Sequence, residues 1–208
     1  MALEIVTHPP VAFEDPRGII LNILSGHEIR HVAFITSKKG TIRANHWHPH
    51  TVVRDEVAMS GAQWIYVLRG SYISVACNLL VGWGKEDEVA QPKVQFTGPV
   101  ERQVVAAGDL VYTPPEVAHA QWFTEETEFL NIDGVTRESE GYGVRHTFLL
   151  SAPLIELGTP HQTTSGESCA GPMAVDKPLA PPVVGDPLGA NIDYRRCLAC
   201  GMAARPIR

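Results

Sequence analysis

Gly40-Thr41-Ile42-Arg43-Ala44-Asn45-His46-Trp47-His48 is the stretch on which the reading of this chain turns. It places two histidines at i and i+2. On a strand, alternate side chains share a face, so His46 and His48 point together while Trp47 points the other way. Two imidazoles a few ångströms apart on one face suit a first-row divalent metal. A third histidine, His119, follows the turn-forming run Pro114-Pro115-Glu116 and opens a strand. In a barrel, that strand can lie beside the one bearing the pair.

Outward from this stretch, residues 4 to 150 read as short apolar runs broken by glycine, proline and charged pairs. The expected strands are 18–24, 29–36, 41–48, 63–69, 71–80, 100–106, 109–113, 118–123 and 128–132. All are rich in Val, Ile, Tyr, Phe and Trp, which fit a pleated surface. Turn signals fall at Lys39-Gly40, Arg69-Gly70, Ala107-Gly108 and Pro114-Pro115. No segment of helical length with 3.6-residue periodicity stands out. Short strands at this spacing predict an all-β fold, an antiparallel sandwich or barrel.

Two spacings then meet in order. Gly40, His46 and His48, followed by Gln63 and Gly70, resemble the first signature of the cupin superfamily. Gly108, Pro114 and His119 resemble the second. The resemblance covers roughly residues 12 to 132 and implies a jelly-roll barrel with a metal inside, held by His46, His48 and His119 with Gln63 at the fourth position. Departures are specific. Gln63 replaces the family's glutamate, removing one negative charge from the site. The gap from His48 to Gln63 is also longer than the family's, and this extra loop contains His50, Arg54, Asp55 and Glu56 as substitute ligands. Glu116 and Phe123 stand where the second motif has glycine and asparagine, which concerns turn shape more than chemistry.

A narrower resemblance lies in Phe13-Glu14-Asp15-Pro16-Arg17-Gly18 and Arg43-Ala44-Asn45-His46-Trp47-His48. These look like the D-x-R-G and R-G-x-H patterns of cupins that act on nucleotide-linked keto sugars, the 3,5-epimerases and 3,4-ketoisomerases, and of small polysaccharide-biosynthesis cupins. That resemblance implies metal-free chemistry, with His46 taking a proton from carbon beside a carbonyl and Arg17 and Arg43 holding the diphosphate. Imidazole accepts and returns protons near neutral pH, and guanidinium binds phosphate oxygens two at a time. Alone, Asp15-Pro16-Arg17-Gly18 reads equally as a surface turn.

Composition narrows the classes. The 208 residues are 44% hydrophobic and 19% charged, enough for one buried core. A net charge of -6 and a pI near 5.8 give no long-range attraction for nucleic acid or anionic lipid. No run approaches membrane-span length, and the first residues lack the pattern of a signal peptide, so a cytoplasmic location is expected. Half of the sixteen prolines lie after residue 150. The expected organisation is therefore a barrel over 1–150 and a Pro/Gly-rich arm or tail over 151–208. In that tail, Cys197-Leu198-Ala199-Cys200-Gly201 is a knuckle of the kind that forms half of a structural zinc site, with Cys169 and His161 the further ligands nearby. Cys77 sits in an apolar run and reads as core. Tyr66, three residues beyond Gln63, faces away from it on a regular strand. Tyr112 and Trp122 read as core or rim aromatics, and His8, His27, His31 and His146 show no partner spacing.

The leading expectation is a cupin enzyme that uses one divalent first-row metal (Fe, Mn, Ni, Zn or Co) on a small polar metabolite. The second is the metal-free isomerase acting on a nucleotide-linked sugar, and the third a non-catalytic ligand-binding barrel. The cupin resemblance also implies a homodimer formed by exchange of N-terminal strands.

Overall fold

The computed structural model describes residues 2–54, 57–82, 92–135 and 147–150 and, in the C-terminal segment, residues 153–156, 161–162, 165, 168–169, 171–175, 195–199 and 203–204. The strands in chain order are β1 (Glu4–Val6), β2 (Val11–Asp15), β3 (Gly18–Leu21), β4 (His31–Ser37), β5 (Ile42–Trp47), β6 (Thr51–Arg54) and β7 (Val57–Ser60). They continue with β8 (Gln63–Arg69), β9 (Ser71–Gly82), β10 (Lys93–Ala106), β11 (Leu110–Thr113), β12 (Val117–Phe123), β13 (Thr127–Asp133) and β14 (Phe148–Leu149). Among the described residues there is no helix, and so none long and apolar enough to cross a membrane.

Two five-stranded sheets form the body, in the orders β1-β11-β8-β13-β4 and β10-β9-β12-β5-β14, with every pairing antiparallel. The crossovers between strands distant in sequence give this all-β, antiparallel fold a jelly-roll layout. Alternation explains the layering. Along β13, for instance, Thr127, Phe129 and Asn131 are buried while Glu128 and Leu130 are half-exposed. Ile65, Val67, Tyr72, Val105, Val111, Phe123 and Phe129 fill the core between the sheets. The second-motif asparagine position is thus a core aromatic here, Phe123, tilted against Tyr72 and stacked on Phe129.

Gly70 turns β8 into β9 with φ of +82°, and a Cβ there would lie 2.3 Å from the Glu126 carbonyl oxygen. Both the left-handed backbone and the close approach require glycine. Glu116, where the second motif has glycine, holds φ of +59° despite its Cβ. Its turn is secured on both sides: Glu116 N–H donates to His48 O (2.7 Å), and Leu79 N–H donates to Glu116 O (3.0 Å). Turn shape is therefore kept, and the turn is tied to the histidine pair.

The long segment after His48 is a hairpin, β6 against β7, whose strands pair with each other. β10 begins seven residues before the expected strand and passes Pro99 through a register shift. As the edge strand of its sheet it tolerates the missing N–H. In the C-terminal segment, β15 (Ile155–Glu156) joins a small sheet with three later strands. Leu154, Ile155 and Ala174 are buried together with Trp47, Phe148, Val75 and Cys77 on the outer face of β5, β9 and β12. The described part of the tail thus borrows the barrel's outer face for its core.

Candidate functional site

β5 and β12 place the three histidines. His46 and His119 are direct cross-strand partners, and His48 lies two residues along on the face of His46. Ring centroids are 4.8 Å apart for His46–His48, 4.7 Å for His46–His119 and 5.4 Å for His48–His119. One ligand-type nitrogen from each lies within 4.8 Å of the others. Trp47 points the opposite way, 1% exposed, and stacks on Phe148 at 4.6 Å.

The cluster is graded in burial. His48 and His119 are 6% and 2% exposed, whereas His46 is half-buried and lines a pocket. His119 is a neutral imidazole, its pKa pushed down to about 3. Burial is the main cause and the nearby His48 adds to it, while a bond from Nδ1 to Val117 O (3.1 Å) opposes the shift. That bond makes Nδ1 the protonated nitrogen and leaves Nε2 as a buried lone pair without a hydrogen-bond partner. Two imidazolium charges 4.7 Å apart would repel by about 3.5 kcal/mol at an effective dielectric near 20.

The depressed pKa of His119 is also a stability statement. Its unfolded value is 6.5, so the unfolded chain binds more protons than the folded one between pH 6.5 and about 3. Stability is full above pH 6.5 and falls as pH drops through that window, by up to about 1.4 kcal/mol per pH unit. Urea unfolding from pH 7.5 to 4.5 is expected to follow that slope, and His119→Gln to flatten it. Equal slopes in the two proteins would remove His119 as the cause.

The pocket beside His46 has a volume of about 110 Å3 and is lined by Ile35, Arg43, Ala44, His46, Gln63, Ile65, Gln121, Phe129 and Asn131. That is room for roughly four waters, with the remainder of any longer ligand outside. Arg43 and His46 are three residues apart and would face opposite ways on a regular strand. A bulge reconciles them: across β12 the register passes from His46 to Ala44, skipping Asn45, and Ala44 and Asn45 both hold left-handed φ values of +64° and +58°. Left-handed backbone costs about 1–2 kcal/mol at a non-glycine residue, and Ala44 is the position where the nucleotide-sugar cupins carry glycine. Asn45 anchors the bulge. Its Nδ2 donates to Ile155 O (2.8 Å), its Oδ1 accepts from Ile155 N–H (3.0 Å), and its carbonyl accepts from Leu150 N–H (3.0 Å). The C-terminal segment is thereby fastened to the residue that precedes His46.

Arg43 donates through Nε to Ser37 Oγ (2.6 Å) and through Nη2 to Thr36 O (2.9 Å), and has no carboxylate partner among the described residues. It is a guanidinium held in place with charge to spare. Gln63 donates through Nε2 to Asp133 Oδ1 (3.1 Å), and Asn131 through Nδ2 to Asp133 Oδ2 (2.6 Å). Gln63 therefore has Oε1 left to offer a ligand. Gln121, Asn131 and Asp133 were not singled out from the sequence. Their signal was polar residues at i and i+2 on inward strand faces, His119/Gln121 and Asn131/Asp133.

Arg17 stands apart from the pocket. It sits in the β2–β3 turn with its side chain 87% exposed, donating through its backbone N–H to Asp15 Oδ1 (2.8 Å) and through Nε to Asp15 Oδ2 (2.9 Å). The bonds to Arg17 hold the Asp15 carboxyl below its usual range. Within one chain Arg17 bonds its own turn and does not line the pocket beside Arg43. His50 is exposed and bonds Thr51 Oγ1 (3.2 Å), outside the histidine cluster. Arg54 is placed only as the end of β6, and Asp55, Glu56 and His146 lie outside the described residues.

No family model matches the sequence, and no curated protein matches it. Solved structures do. The dTDP-4-dehydrorhamnose 3,5-epimerase from Sulfolobus tokodaii is 17% identical, covering 73% of this chain and 83% of that one at a TM-score of 0.45. The RmlC epimerase from Mycobacterium tuberculosis is 13% identical, covering 73% and 70% at 0.48. The QdtA 3,4-ketoisomerase from Thermoanaerobacterium thermosaccharolyticum, a double mutant in complex with TDP, is 18% identical, covering 66% and 84% at 0.41. At these identities the likeness concerns the barrel alone, and the chemistry has to come from the pocket.

Proposed function

We propose that this chain is a proton-transfer isomerase acting on a nucleotide-linked keto sugar, with His46 as its base. One observation carries the reading: the bulge at Ala44–Asn45 turns Arg43 and His46 into the same pocket, a base beside a guanidinium that has no carboxylate partner among the described residues. His46 is also the one acid–base group among the described lining residues, which otherwise offer amides and apolar side chains. Epimerisation with inversion needs an acid on the opposite face of the sugar, and none stands among the described lining residues. A single base suits carbonyl migration to the neighbouring carbon.

His46 takes the proton from the carbon beside the carbonyl. The C–H electrons form a C=C bond and the carbonyl oxygen becomes negative, giving an enediolate. A proton then passes from the neighbouring hydroxyl to that oxygen, and imidazolium returns its proton to the former carbonyl carbon. In this reading the Gln121 amide, which lines the pocket, donates to the enediolate oxygens, and Arg43 meets a diphosphate oxygen. The test is a panel of nucleotide-linked 4-keto sugars incubated in deuterium oxide and followed by NMR. Deuterium entering beside the carbonyl together with carbonyl migration is the expected result; no exchange across the panel overturns the reading. A homodimer belongs to this proposal, with the exposed Val11, Phe13, Ile19 and Ile20 of the β2–β3 hairpin as apolar surface for a second copy to cover.

A second reading is favoured by one further observation, the buried Nε2 lone pair of His119 facing two more imidazoles. The donor set fits a divalent first-row ion held by His46, His48 and His119, with Gln63 Oε1 as a neutral fourth donor. Bound there, such an ion would polarise a substrate carbonyl as a Lewis acid. Elemental analysis of purified protein, His46→Ala and His119→Ala separates the two: this reading requires a stoichiometric metal that both substitutions remove.

A further inference from the structure

Cys200 of the tail knuckle lies outside the described residues, so its spacing carries no site. Behind the wall of the barrel pocket stands a carboxylate that the chemistry above does not use. Asp133 is the last residue of β13, the strand between β4 and β8, with His31 across from it on one side and Gln63 on the other. Its backbone is pinned as well, Arg30 N–H donating to Asp133 O (3.0 Å). Asp133 is not among the residues that line the pocket, but both of its oxygens are taken up by residues that are. Gln63 Nε2 donates to Oδ1 (3.1 Å) and Asn131 Nδ2 to Oδ2 (2.6 Å). Gln63 reaches it as the direct cross-strand partner, and Asn131 because residues i and i+2 of a strand share a face.

An ionised carboxylate accepts hydrogen bonds and donates none, so both amides must turn their NH2 groups toward Asp133. Each is left with a carbonyl oxygen, Gln63 Oε1 and Asn131 Oδ1, that has no bond among the described residues. Gln63, Asn131 and Asp133 are each more than nine-tenths buried. An acceptor left bare in such surroundings is costly, and a donor on a ligand in the pocket removes that cost. Position 63 fits this arrangement. The glutamate of the cupin motif would set a second carboxylate against Asp133, whereas glutamine donates to it. The negative charge absent from position 63 stands one strand across, behind the amides.

We infer that Asp133 is a positioning residue that fixes the polarity of the pocket, holding Gln63 Oε1 and Asn131 Oδ1 toward the ligand as acceptors. The pocket then selects a ligand that brings hydroxyl donors to this wall over one that brings fluorine, an ether or bare carbon. The inference rests on the isomerase reading and narrows its substrate to sugars with free hydroxyls beside the reacting carbon.

The test is binding, read by calorimetry on the full-length chain with chelator present, so that no ion occupies Gln63 Oε1. The probes are thymidine diphosphate glucose and its 2-deoxy-2-fluoro and 3-deoxy-3-fluoro analogues. They lack the ketone and do not turn over, and fluorine keeps nearly the size of a hydroxyl but cannot donate. In the wild-type chain at least one fluoro analogue should bind about ten- to hundredfold more weakly than the parent. Asp133→Asn frees the amides to turn round and should shrink that ratio to within a few fold; Gln63→Met, which removes one acceptor and keeps the carboxylate, should shrink it too. A wild-type chain that binds the parent and both analogues equally overturns the inference. So does an Asp133→Asn chain that weakens all three alike with the ratio intact, because Asp133 would then be merely structural. If no probe binds, the nucleotide-sugar reading falls, and the polarity is decided without ligand by NMR. Side-chain amide protons of Gln63 and Asn131 that exchange slowly with water and shift on Asp133→Asn uphold it, and amide protons that exchange freely overturn it.

Discussion

Replacing His46 with alanine is expected to lower turnover of a nucleotide-linked keto sugar by about three orders of magnitude, the usual scale for losing a general base. Nucleotide binding should change little, because the anion-binding group is Arg43, held through Ser37 and Thr36 and not through His46. Solvent deuterium exchange should vanish along with turnover. Arg43→Lys is the complement. It keeps the charge but loses the planar fork, and KM should rise about ten- to hundredfold with kcat close to wild type. Calorimetric titration with nucleoside diphosphate and steady-state kinetics on both variants read these effects. Had His46 served only to pack the cluster, its loss would affect stability and leave kcat within a few fold.

Trp47→Ala carries the largest structural effect. Trp47 is 1% exposed, stacks on Phe148 with 17° between ring planes, and packs with Leu154, Ile155 and Ala174. Removing a buried tryptophan costs about 3–5 kcal/mol through lost transfer energy and the cavity left behind. In a chain of this size that corresponds to a fall in Tm of about 10 °C. The loss should not stop at the barrel. The Trp47 ring forms part of the surface on which the C-terminal segment docks, so proteolysis after residue 150 should accelerate in parallel with thermal destabilisation. Differential scanning calorimetry and limited proteolysis check both. A variant with an unchanged Tm would mean that Trp47 does not hold this layer together.

Much of the fold was legible because its signals are local. Runs rich in Val, Ile, Phe and other strand-favouring residues mark β4, β8, β12 and β13, and the His46/His48 pairing follows from strand parity alone. The cross-strand meeting with His119 came through two spaced motifs. What escaped had a non-local or parity-breaking cause. β6 and β7 are four residues each and pair with one another as a two-stranded sheet, so the loop between the motifs carried no stronger strand signal than an ordinary apolar run. The start of β10 is obscured by Gly98-Pro99, a break that only its edge position excuses. The common pocket of Arg43 and His46 depends on a bulge at Ala44–Asn45. Neither residue advertises left-handed backbone as glycine would, and the bond that holds the bulge comes from Ile155, 110 residues away. Arg17 illustrates the converse. Its Asp15-Pro16-Arg17-Gly18 pattern reads as phosphate-binding by resemblance, yet in one chain it closes its own turn.

The role of His46 as a lone base is tested most directly by the fate of a label on the substrate. A nucleotide-linked 4-keto sugar carrying deuterium at the carbon beside its carbonyl, turned over in ordinary water, should deliver part of that deuterium to the former carbonyl carbon. One imidazole removes and returns it within the pocket, and the remainder washes out to solvent. Carbonyl migration with no label ever reaching the new position would contradict a single shuttling base and return the cluster to metal chemistry.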